Sequence, residues 1–164
     1  MSIIKLFLPF ILFFIIGNYG IHLYFKQKRA LFFKNIGNRK FREYLNLKTV
    51  INATSKISFS WQLFRADIVL FENSLFVLLK NSNLKGLINQ NQSILQISRN
   101  ENIGKFEGIS KVYFLEKYEI NNNKIKIFST QNLIVSAKFE IIIDFKDRLE
   151  ELKIVENYLS EIKQ

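Results

Sequence analysis

Lys138–Leu159, KFEIIIDFKDRLEELKIVENYL, changes its hydrophobic period halfway along. Phe139, Ile141, Ile143 and Phe145 alternate with Lys138, Glu140 and Asp144, with Ile142 as the exception. A period of two describes a strand with one buried face. Beyond Asp147 the apolar residues Leu149, Leu152, Val155, Leu159 and Ile162 recur every three or four positions. That spacing predicts an amphipathic helix, and Asp147 with Glu150 has the spacing of a capping box. The helix needs an apolar surface to cover. The nearest candidate is an open end of the β-structure that precedes it.

Working toward the N-terminus, the same period of two recurs. In Lys56–Phe64, Ile57, Phe59, Trp61 and Leu63 share one face, which places Trp61 in the core. ADIVLFENSLFVLLK (Ala66–Lys80) reads as a hairpin turning at Glu72-Asn73-Ser74, with Asn73 suited to positive φ. Asn81–Gln92 reads as a polar loop, Ser93–Ser98 as a strand, and RNENIGKFEG as a further loop, with Gly104 and Gly108 as turn glycines. Ser110–Ile120 and Lys124–Ser129 flank Asn121–Asn123 as a second hairpin. About seven strands followed by one helix suit a mainly β fold, a small antiparallel β-barrel capped by a C-terminal amphipathic helix.

This order resembles the pleckstrin-homology-like (PH-like) superfold, and in particular bacterial PH-like and GRAM-like domains. The resemblance rests on ADIVLFENSLFVLLK and on KFEIIIDFKDRLEELKIVENYL, and it covers about Leu47 to Lys163. It implies a bent seven-strand barrel with one end plugged by the last helix, commonly attached to a transmembrane helix. Lipid-binding members carry a basic cluster in the first hairpin. Here the corresponding loop, FRAD (Phe64–Asp67), offers only Arg65 beside Asp67, so phosphoinositide binding does not carry over.

The N-terminus reads differently. Leu6–Ile16 is apolar throughout, and continuing to Phe25 reaches the roughly 20 residues a spanning helix requires. Tyr19, Tyr24 and Phe25 suit an interfacial belt. Three readings compete, a retained anchor, a cleaved signal peptide, and a buried or interfacial helix. Ile15-Ile16-Gly17 is a poor cleavage site, and Lys26, Lys28, Arg29 and Lys34 follow at once. The anchor reading is therefore preferred, with the C-terminal side cytoplasmic by the positive-inside rule. The chain divides into an anchor (1–25), a basic juxtamembrane segment (26–46) and the β domain (47–164).

The formal charge of +10 invites a nucleic-acid reading, but its distribution does not. Residues 1–50 carry +8 and the remaining residues only +2. A nucleic-acid binder carries its basic stripe on the folded domain. Lys26, Lys28, Arg29, Lys34, Arg39 and Lys40 are instead the expected contacts to anionic lipid headgroups, each contributing about 1 kcal/mol near such a surface. The competing reading of this segment is a topology signal plus a linker helix packed on the domain.

Nothing in the chain spells out catalysis. Cysteine is absent, and His22 is the only histidine. There is no phosphate-binding glycine loop or nucleophile elbow. Glu116, Glu119, Glu150 and Glu151 sit where a solvated surface is expected. No enzyme, cofactor or metal is expected. The sequence points to a single-pass inner-membrane protein with a cytoplasmic PH-like domain, acting as a non-catalytic adaptor on a protein or on lipid headgroups. The alternatives are an exported small β-barrel with a cleaved signal, and a small enzyme using surface carboxylates.

Overall fold

The computed structural model describes residues 3–54, 59–61, 65–83, 88–99, 106–107, 109, 112–131 and 137–163. Within these, the side chains of 3–6, 11, 14–15, 53–54, 59–61, 81–83, 88–91, 131, 137 and 163 lie outside the description. Helix α1 (Ile3–Ile36) runs unbroken for 34 residues, with Pro9 inside it, past the first turn, where the ring removes one i→i−4 hydrogen bond. Gly37 ends it. With φ at 60° it donates its N–H to Phe33 O (3.1 Å), a left-handed cap that glycine adopts without a Cβ penalty. The strands are β1 (Arg42–Thr54), β2 (Phe59–Trp61), β3 (Arg65–Phe71), β4 (Ser74–Asn83), β5 (Ile88–Ser98), β6 (Val112–Asn121), β7 (Lys124–Gln131) and β8 (Ala137–Asp144). Helix α2 (Leu149–Lys163) closes the chain.

The fold is a mainly β sheet with a C-terminal helix. Seven of its strands pair in a cycle, β1-β3-β4-β5-β6-β7-β8 and back to β1, while three-residue β2 pairs only with the end of β1. Strand β1 makes this return possible by pairing with β3 through its first half and with β8 through its second. A register shift between Tyr44 and Leu47, with Asn46 at φ 62°, marks the changeover.

Several expectations need correcting. The expected all-antiparallel order fails at one junction, because β5 and β6 pair in parallel over Gln96–Ser98 and Val112–Phe114. Parallel neighbours need a long crossover. Residues 99–111 join the two strands, and of those described Ile109 is buried and Phe106 N–H donates to Gln96 Oε1 (2.9 Å). Much of the supposed loop Asn81–Gln92 is ladder, since Lys80, Asn81, Ser82 and Asn83 pair with Asn91, Gln90, Asn89 and Ile88. Positive φ at the β3–β4 turn falls on Glu72 (51°), not on Asn73. Before α2 it is Asp144, not Asp147, that closes the turn, accepting from Lys146 N (3.0 Å), and Leu149 at the helix start is exposed. The first strand expected, Lys56–Phe64, is seen only as β2. Its flanks, the Trp61 side chain, Gly104 and Gly108 lie outside the described residues.

Two apolar clusters hold the fold. Inside the cycle, Ile51, Ile68, Leu70, Val77, Ile127, Ile141 and Ile143 meet Leu152, Val155, Leu159 and Ile162 of α2. Each such buried side chain contributes roughly 1.5–3 kcal/mol. Outside it, Phe32 and Ile36 of α1 pack on Val69, Phe71, Phe76, Leu78, Ile94 and Ile109. Strands β3 and β4 are therefore buried on both faces, which explains why IVLF and LFVLL are continuous apolar runs without alternation. Among the described residues no helix is long and apolar enough to cross a membrane.

Candidate functional site

Asp67 on β3 is a carboxylate with no exposed surface in a strand that is otherwise apolar from Ala66 to Phe71. Isolated, it would be costly. Three elements converge to satisfy it. Arg29 Nη2 of α1 donates to Oδ2, Lys80 Nζ of β4 donates to Oδ1 (2.7 Å), and the N–H of Asn46, at the β1 register shift, also donates to Oδ1 (2.7 Å). Glu43 stands 3.5 Å from Arg29. Burial alone would raise the Asp67 pKa, but the hydrogen bonds from Lys80, Arg29 and Asn46 outweigh it and hold the carboxyl below its ordinary value. For Glu43 burial prevails over the attraction of Arg29, and its pKa is raised.

A second latch lies one turn past the end of α1. Arg39 donates through Nε to Ile36 O (3.0 Å) and through Nη2 to Asn35 O (2.6 Å), satisfying carbonyls the helix leaves open. Its Nη1 also pairs with Glu72 (2.7 Å), and the guanidinium lies 4.6 Å from the Phe71 ring centroid. From the other side of the same turn, the hydroxyl of Tyr158 on α2 donates to the carbonyls of Glu72 and Ser74, the latter at 3.1 Å. The β3–β4 turn thus joins both helices. Beside it opens a cleft of about 670 Å³ lined by Lys40, Arg42, Glu72, Ile154, Tyr158 and Glu161.

The six cations expected at a lipid surface divide into two groups. Arg29 and Arg39 are engaged with Asp67 and Glu72 within the protein. Lys26, Lys34 and Lys40 are exposed, and half-buried Lys28 lies over the Tyr24 ring at 5.0 Å. The carboxylates considered for catalysis do not converge. Glu119 pairs with Lys117 (2.6 Å) on β6, Glu151 faces Arg148 (3.4 Å) on α2, and Glu116 and Glu150 are exposed. Among the described residues no group of three or more His, Cys, Asp or Glu is placed to hold a metal ion. Asp67 had a legible signal, a lone acid within ADIVLF, which implies a buried charge seeking a partner. Its partner Arg29, 38 positions away, had none.

No family model matches the chain, and no curated protein matches it.

Proposed function

We propose that the chain is a membrane-anchored, non-catalytic binding module whose β domain is a PH-like barrel on the cytoplasmic face of the inner membrane. One observation carries this reading. Helix α1 leaves Phe7, Phe10, Phe13, Ile16 and Tyr19 exposed, Phe13 at 78%, while its last turns are locked to the sheet by Phe32, Ile36 and Arg29. Exposed aromatic and aliphatic residues on a helix that no described element covers are at home in hydrocarbon. The cycle of seven strand pairings and the helix covering its core support the barrel. Lys26, Lys28, Lys34 and Lys40 beyond the apolar part support cytoplasmic placement and contact with anionic headgroups.

Fractionation of the full chain tests the anchor, and C-terminal reporter fusions test the orientation. The expected result is a protein that stays in the pellet after alkaline carbonate washing and carries a reporter active in the cytoplasm. Release by carbonate, or a mature N-terminus beginning near Asn18, overturns the anchor. A reporter active in the periplasm overturns the orientation.

A further inference from the structure

Strand β6 has a neighbour on each side for only part of its length. It pairs with β7 from Phe114 to Asn121, but with β5 only from Val112 to Phe114. Among the described residues, no strand lies against the other side of β6 from Leu115 to Asn121. Such an edge presents N–H and C=O groups that can template one more strand. The side chains along it reach water. Glu116, Lys117, Glu119, Ile120 and Asn121 are exposed, and Tyr118 is half-buried.

The register with β7 assigns these side chains to two faces. Tyr118 and Ile120 stand opposite Ile127 and Ile125, both fully buried, so they lie on the core side of the sheet. Ile120 is nevertheless 37% exposed, at a position where its neighbour on β7 has no exposure at all. Lys117 and Glu119 lie on the outer side, opposite Phe128 and Lys126. They pair with each other at 2.6 Å, and Lys117 Nζ lies 4.4 Å from the Phe128 ring centroid. Both remain about half exposed, at 55% and 50%.

An antiparallel second copy fits this edge in one register. With Tyr118 opposite Tyr118 of the second copy, Lys117 falls opposite Glu119, and Glu119 opposite Lys117. Opposite charges directly across antiparallel strands attract. A centre at Lys117 or at Glu119 sets like charge against like, which repels. On the core side the favoured register places the two Tyr118 rings side by side, with Ile120 of each copy diagonal to Tyr118 of the other. Ile120 thereby gains apolar cover. Both faces select the same register, and a two-fold relation makes one patch complementary to itself. Charges and a register shift, here between Leu115 and Lys117, also occur on edges guarded against pairing. A guard against a second copy is best served by charge of one sign, and this edge carries both signs.

We propose that Glu116–Asn121 is a homodimer surface, on which the β6 strands of two copies of this chain pair antiparallel about Tyr118. It does not depend on where α1 lies. The chain has no cysteine, so each substitution gives a unique thiol. The full chain in detergent would be oxidised with copper phenanthroline and disulfide dimers read on non-reducing gels. Directly opposite Cα atoms in such a pair are about 4.5–5.5 Å apart, within disulfide reach. Tyr118→Cys should therefore cross-link severalfold faster than Asn73→Cys on the exposed β3–β4 turn. Lys117→Cys mixed with Glu119→Cys should cross-link faster than either alone, because each is only diagonal to itself across the two-fold. A second measurement leaves Tyr118 intact. Lys117→Glu and Glu119→Lys, both at exposed positions, should each abolish the dimer seen by sedimentation in detergent, and their equimolar mixture should restore it. Equal cross-linking at 73, 117, 118 and 119 overturns the proposal. So does a monomeric parent chain at high micromolar concentration, or charge variants that dimerise as the parent does. The charges of this edge would then guard it against strand addition.

Discussion

The guanidinium of Arg29 donates to the fully buried carboxylate of Asp67, joining a helix that begins at Ile3 to the third strand of the sheet. Removing either partner leaves charge in a place built for a pair. Breaking a buried ion pair by deleting one member costs about 3–5 kcal/mol. Asp67→Ala is therefore expected to lower the stability of the full chain in detergent by about that much, measured by chemical denaturation. Arg29→Ala should cost less, because Lys80 and Asn46 still serve the carboxylate. The double variant should be less destabilised than the sum, with a coupling above about 1 kcal/mol. Additive effects would mean that the two residues do not act as a pair.

The same cluster sets a pH dependence with two opposing parts. Asp67 has a folded pKa below its ordinary value of 3.8, so its stabilisation is complete above the unfolded value. It is lost as pH falls from there through the folded value. Glu43 behaves oppositely. Its folded pKa is raised above 4.5, so the native state holds a proton that the unfolded chain has released. Its effect is a loss of stability as pH rises through that window. Lowering pH from neutrality should first gain a little stability and then lose it below about pH 4. Glu43→Gln should remove the gain, and Asp67→Asn should flatten the acid loss. Urea midpoints across pH check both.

Phe32 is the largest side chain α1 commits to the sheet. It is 1% exposed and lies 5.0 Å from the Phe76 ring and 5.4 Å from that of Phe106. Phe32→Ala should cost about 3–5 kcal/mol if the site does not collapse. Its signature is local. Amide exchange should rise in the Gly37–Phe41 connection and in β3 and β4, while α2, which packs in the other cluster, stays protected. Equal loss across α2 would mean that α1 is integral to the core and not a docked element.

Legibility in the sequence followed the period of burial. Strand β8 and helix α2 were readable because each has one buried face, and Ile141, Ile143, Val155 and Leu159 mark it at the spacing its element requires. Strand β1 was hidden because its inward residues Tyr44, Leu47, Thr49 and Ile51 change spacing at Asn46, where the register shifts. The end of β4 and the start of β5 were hidden for another reason. Asn81–Asn83 and Ile88–Asn91 are held by a ladder, and a ladder makes no demand for apolar side chains. At the candidate site, the charge of Arg29 and Arg39 was visible but its destination was not. Basic residues after an apolar helix look alike whether they face lipid or reach back to Asp67 and Glu72.

Tyr158 ties α2 to the β3–β4 turn and gives the last prediction. Its hydroxyl donates to the carbonyls of both Glu72 and Ser74. Burial first, with the nearby charges of Glu161 and Glu72 adding to it, pushes its pKa up to about 12. Because that value lies above the ordinary 10.0, the hydroxyl keeps its proton in the native state after the unfolded chain has lost it. Its contribution is present below pH 10 and disappears as pH rises toward 12. Tyr158→Phe should cost about 1 kcal/mol at neutral pH. It should also remove one late-titrating tyrosine from the ultraviolet titration of the folded chain. The loss at neutral pH should be largest where Arg39→Ala has not already loosened the turn, because Arg39 holds the Glu72 side chain while Tyr158 holds its carbonyl. If the two variants add without coupling, the β3–β4 turn does not transmit between α1 and α2.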